Sequence, residues 1–181
     1  MKIRTDFVTN SSSSSFTLMI SFELVNGKNV QFNAIGGTGE TGRINYFDGD
    51  AIVKVSPKQL GNAKNIDELI KLLEDGVVDG WDEVKIFDKP HPNECGIFDS
   101  YAFIERIREK ITSMDQIKEI TITGNEKNYM CYNRTFTYNL KTKEYTGQVE
   151  GCEFEKNGDS GGDLIFSDLD SCDIEYEGDE E

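Results

Sequence analysis

Residues 16–25 alternate between two faces, with Phe16, Leu18, Ile20, Phe22 and Leu24 on one and Thr17, Met19, Ser21, Glu23 and Val25 on the other. Successive side chains of a strand point to opposite sides, so this run reads as a half-buried β-strand. Asn26-Gly27 follows, and then a second row of Val30, Phe32 and Ala34. A two-residue turn at Asn26-Gly27 would set Phe22 opposite Gln31 and Ile20 opposite Asn33, mixing apolar and polar groups on one face. A three-residue loop, Val25-Asn26-Gly27 with Gly27 left-handed in a G1 bulge, pairs Phe22 with Val30 and Ile20 with Phe32 instead. The bulged hairpin is the expectation.

Further along, Ile44 and Tyr46 can face Ala51 and Val53 across a turn at Asp48-Gly49, a second hairpin closed by Pro57. Asn65, with Glu68 three residues on, caps a helix whose inward stripe is Ile66, Leu69, Ile70, Leu72 and Leu73, ending before Gly76. Val84 to Phe87 is a short strand candidate. Asp99 or Ser100 caps a second helix with Phe103, Ile104, Ile107 and Ile111 inward. Ile120 and Ile122 alternate with Thr121 and Thr123 before a turn at Gly124-Asn125. The aromatic-rich run Tyr129 to Leu140 then pairs with Glu144 to Val149 around Lys141-Thr142-Lys143. The expected fold class is α+β: antiparallel hairpins, two helices, then a closing antiparallel meander, with an acidic C-terminal tail.

The 181 residues suffice for one domain with a proper core. Net charge is −15, but residues 153–181 hold twelve acids against Lys156 alone, a net of −11 that leaves −4 for the remainder. Mutually repelling acids favour a solvated chain, so the organisation reads as a leader at 1–15, an α+β domain at 16–154 and a disordered acidic tail at 155–181. A basic nucleic-acid surface is not expected. Neither is a membrane segment, because the run from Phe16 to Val25 is interrupted by Thr17, Ser21 and Glu23, and a spanning helix needs roughly 20 apolar residues. Lys2 and Arg4 imitate a signal-peptide start, yet Asp6 and five serines follow where an apolar core should begin. Cys95, Cys131, Cys152 and Cys172 form no CxxC pair and read as free thiols, with a disulfide framework as the alternative. A cytoplasmic protein is expected.

Motifs that resemble sites weaken in context. Gly37, Gly39 and Gly42 satisfy GxGxxG, but Arg43 to Phe47 reads as strand where a helix must open to hold a pyrophosphate. A phosphate loop fails too, since Arg43-Ile44 stands where Lys and Ser or Thr are needed. His91 is the only histidine, so any His-based dyad or triad must use it. Pro92 pushes it toward an extended conformation, and with Cys95 it supplies at most half a zinc site. Asp159 to Asp163 and Asp168 to Asp173 lack the calcium-loop pattern, and Cys172 stands where a hard oxygen ligand is required. Trp81, Tyr129, Tyr132, Phe136, Tyr138 and Tyr145 form either a recognition face or core. No residue is assigned a catalytic, cofactor-binding or metal-binding role, and no cofactor is expected.

The first sixteen residues carry the one recognisable string, Lys-x-Arg-x-Asp-Phe-Val-Thr-Asn from Lys2 to Asn10, then Ser11 to Ser15 and Phe16. Lys2 to Phe16 resembles an N-terminal segment shared by small uncharacterised bacterial and phage-associated proteins whose remaining sequences differ. The resemblance implies a bacterial origin and a shared recognition tag, with no catalytic residues to carry over. The expected function is a non-enzymatic protein-binding module with an unidentified protein partner. The alternatives are an acidic inhibitor that imitates nucleic-acid charge to block a basic partner, and an enzyme using the His91 loop.

Overall fold

A computed structural model describes residues 15–36, 45–47, 51–79, 85–88, 100–128, 130–151 and 173–177. β1 (Ser15–Leu24) turns at Val25-Asn26-Gly27 into β2 (Asn29–Gly36), with Phe22 opposite Val30 and Ile20 opposite Phe32. Gly27 has φ +77°, and its amide donates to Leu24 O at 2.9 Å, as the G1 bulge requires. β6 (Ile117–Asn128), β7 (Met130–Asn139) and β8 (Tyr145–Gly151) continue the sheet from the free side of β1, each antiparallel to its neighbour. The short strands β3 (Asn45–Phe47) and β9 (Asp173–Glu177) lie at the edges, parallel to β2 and β8. The strand order of this seven-stranded sheet is β3-β2-β1-β6-β7-β8-β9.

The expected second hairpin does not form. β3 joins the large sheet, whereas β4 (Ala51–Val53) pairs with β5 (Val77–Asp79), the strand that leaves the second helix. A hairpin with three residues per strand is marginal by itself, but the β4–β5 pair buries Val53 and Val77 in the common core. Nor does the chain turn at Gly124-Asn125: β6 runs straight through, with Gly124 opposite Arg134 and Asn125 opposite Asn133. Pro57 opens a helix instead of closing a strand. α1 (Pro57–Gly61) has Pro57 in its first turn, and Ser56 and Gln59 form a reciprocal capping box.

α2 (Ile66–Gly76) starts as expected, Asn65 Oδ1 accepting from Glu68 N at 2.9 Å, and it extends one residue further to include Gly76. The strand expected at Val84 to Phe87 reduces, among the described residues, to one bridge between Val78 and Lys85. α3 (Tyr101–Lys110) follows Ser100, whose side chain makes no cap. Its buried hydroxyl donates to Ile86 O, tying the helix to the preceding segment. The buried rows of β1, β2, β6, β7 and β8 share one apolar cluster with α1, α2, α3 and the β4–β5 pair. Phe103 stands at its centre, with ring centroids 5.9, 5.5 and 5.6 Å from those of Phe22, Phe32 and Phe87. Phe136, Tyr138 and Tyr145 are buried in the same cluster, so three of the aromatic candidates are core. The class is α+β.

At the middle of the sheet, the other face carries half-buried side chains that are polar apart from Met19. Ser21, Thr121 and Thr137 make one row, and Met19, Thr123 and Thr135 the next. Thr121 bonds Thr137, and Thr123 bonds Thr135, each at 3.1 Å. Cross-strand threonines of this kind stabilise a sheet with one solvated face.

Candidate functional site

Three chain turns meet at the end of the sheet where β1 and β7 finish. The β1–β2 loop is fixed there by Val25 N donating to Gln116 O at 2.9 Å, and the β7–β8 turn by Leu140 N donating to Lys118 O at 3.0 Å. Asn139 shapes the latter turn, its Oδ1 accepting from Lys141 N and Thr142 N at 3.0 Å each. Lys143 takes φ +62°, the only non-glycine residue in the left-handed region among those described. The end of α1 closes the third side, where Asn62 Oδ1 accepts from the Tyr138 hydroxyl at 3.2 Å.

Between these turns lies a groove of about 490 Å³. Its apolar surface comes from Val25, Ala63, Met114, Ile117 and Leu140, and its rim carries Lys118, Lys141 and Lys143 with Asp115 as the one acid. Val25 is 65% exposed, alone among the large hydrophobic side chains described. Lys118 is held by Glu23 at 2.6 Å, and that hydrogen bond raises its ammonium above the ordinary value. The Lys143 ammonium lies 5.9 Å over the Tyr138 ring. Among the described residues neither Lys141 nor Lys143 forms an ion pair. This rim of three lysines against one acid contrasts with the chain's net charge of −15. The arrangement suits a partner that brings apolar groups to the floor and negative charge to the rim.

Of the aromatic residues singled out from sequence, Tyr138 adjoins this groove, its ring under Lys143 and its hydroxyl bonded to Asn62. Gly37, Gly39, Gly42, Trp81, His91, Cys95, Asp99, Tyr129, Cys152 and Cys172 lie outside the described residues, as do the turn at Asp48-Gly49 and the leader up to Ser14. Cys131 occupies β7 opposite Lys127. Within the acidic segment, Asp173, Glu175 and Glu177 take register positions beside Thr146, Gln148 and Glu150. Among the described residues there is no group of three His, Cys, Asp or Glu placed to hold a metal, and no helix long and apolar enough to cross a membrane. The groove escaped sequence reasoning because its lining comes from segments far apart in the chain, Val25, Met114 to Lys118 and Leu140 to Lys143. The signal for it is topological: in an antiparallel meander, Asn26-Gly27 and Lys141-Thr142-Lys143 turn at the same end.

The molecule is thus an α+β protein, an antiparallel sheet backed by helices, with a lysine-rimmed groove at one end. No protein-family model matches the chain, and no curated protein or solved structure matches it either.

Proposed function

We propose that this protein is a non-enzymatic interaction module of a bacterial cytoplasm that docks a protein partner in the sheet-end groove. The observation that carries this is exposed Val25 beside an apolar floor, with Lys141 and Lys143 in no ion pair among the described residues, since apolar patches rimmed by polar groups mark interaction sites. Lys2 to Phe16 serves as a recognition tag, a role supported by its resemblance to a segment found on otherwise unlike proteins. A second reading, an acidic inhibitor of a basic partner, draws support from β9, which places Asp173, Glu175 and Glu177 at alternate positions on the sheet edge beside Glu150.

A peptide-display library panned on the immobilised full-length protein tests the docking role. Selected clones should lose about tenfold or more in affinity for Val25→Asp, because a negative charge then stands where an apolar side chain borders the floor. Clones that bind the variant as tightly as the parent would remove the groove from consideration. Clones of strongly basic sequence, insensitive to Val25→Asp and released by salt, would favour the inhibitor reading.

A further inference from the structure

We infer that the groove takes a peptide in which acidic residues flank an apolar one, a deepening that rests on the docking role proposed above. The chemistry of the lining decides the partner's charge. Lys118 is already engaged by Glu23, so it frames the groove and offers little to a ligand. Lys141 and Lys143 are different: they stand two positions apart in one turn and make no ion pair among the described residues. Asn139 fixes the backbone between them through Lys141 N and Thr142 N, so the pair is presented from a preorganised turn. The ammonium of Lys143 rests over the Tyr138 ring, which limits the entropy lost when a carboxylate is bound.

Charge alone does not hold an acidic peptide here. The chain carries −15, and its long-range field opposes any anion that approaches. That field is screened beyond about 10 Å at 0.1 M salt, whereas contacts at the rim are screened less. Exposed lysine–carboxylate pairs are individually weak, so burial of an apolar side chain against Val25, Met114 and Leu140 must supply the rest. Met114 suits that task, being unbranched and able to fit varied shapes. A basic peptide would meet like charge at this rim, and a wholly acidic one would leave the floor uncovered. The acidic-apolar peptide is the class that satisfies both.

Fluorescence anisotropy with the full-length protein and three labelled peptides of about twelve residues tests this. One alternates glutamate with leucine and phenylalanine, the second replaces glutamate by lysine, and the third replaces the apolar residues by serine. The first should bind about tenfold or more tightly than either control, and Lys141→Glu with Lys143→Glu should reverse the order of the first two. Both substitutions lie in an exposed turn, and far-UV circular dichroism checks that the variant is folded. Preference of the unmodified protein for the lysine peptide would overturn the inference, as would equal binding of the glutamate peptide to the double variant. If the lysine peptide wins yet Val25→Asp abolishes its binding, the docking role stands and only the partner's charge is wrong. If Val25→Asp alters the binding of none of the three peptides and of no selected clone, both fall.

Discussion

Glu74 shows how one side chain can work against the fold that positions it. It lies on α2, half-buried, and burial raises its carboxyl above the ordinary 4.5. Arg108 pulls it back down, while Asp88 and Asp75 push it up. A carboxyl whose folded value lies above its unfolded one binds its proton more tightly in the folded state. Its favourable contribution is therefore complete below the unfolded value and is lost as pH rises through the folded one. Glu74→Gln removes the ionisation and keeps the shape. Its melting temperature should match the parent below about pH 4.5 and exceed it at pH 7. Melts across pH 3.5 to 7.5 would show the two curves parting upward for the variant; a lower curve at pH 7 would mean that attraction to Arg108 outweighs desolvation. Ser100 is the contrasting case, a buried hydroxyl that anchors one segment to another by bonding Ile86 O.

At the scale of elements, α1 can lie on β6 and β7 because its last residue has no side chain. A Cβ at Gly61 would come within 2.6 Å of Tyr138 Cε1 and within 3.3 Å of Leu140 Cδ1. Alanine is the better helix former by about 1 kcal/mol, but this gain is smaller than the cost of displacing a buried ring. Gly61→Ala should therefore destabilise by about 1 to 3 kcal/mol in urea unfolding, and an unchanged midpoint would show that Tyr138 moves freely. What could be read from sequence follows the range of the interactions. The β1–β2 hairpin, the Asn65 cap and the β7–β8 pairing rest on neighbours, so residue patterns specify them. The partners of β3 and β4 are not local. β3 crosses to the far side of β2 and β4 finds the strand that leaves α2, pairings that no hairpin pattern encodes. α1 is hard to see in sequence because a proline can close a strand as well as open a helix; here Ser56 and Gln59 mark Pro57 as a first-turn residue. Gly124-Asn125 resembles a turn in sequence because glycine within a strand carries no pleat signal, yet both residues pair within β6. The groove required both the topology and the side chains, and neither Lys118 nor Val25 is distinctive alone.

On the scale of the whole molecule, charge and core are carried by different parts of the chain. Every residue of the buried apolar cluster described here precedes Thr146, whereas residues 152–181 carry −11 of the net −15. Removing that segment has two opposed effects. The ladder between β8 and β9 is lost, from Thr146–Asp173 to Glu150–Glu177, at a net cost of about 0.5 to 1.5 kcal/mol per hydrogen bond. Self-repulsion falls at the same time, which favours the compact state. With the helices and five antiparallel strands intact, a chain ending at Gly151 should still melt in one cooperative transition, within about 5 °C of the full-length protein. Scanning calorimetry of the two forms decides this. A fall well beyond that range would place part of 152–181 on the apolar cluster, and added salt gives the second check. Screening should raise the melting temperature of the full-length chain more than that of the shortened one, because the former carries a net −15 and the latter only −4.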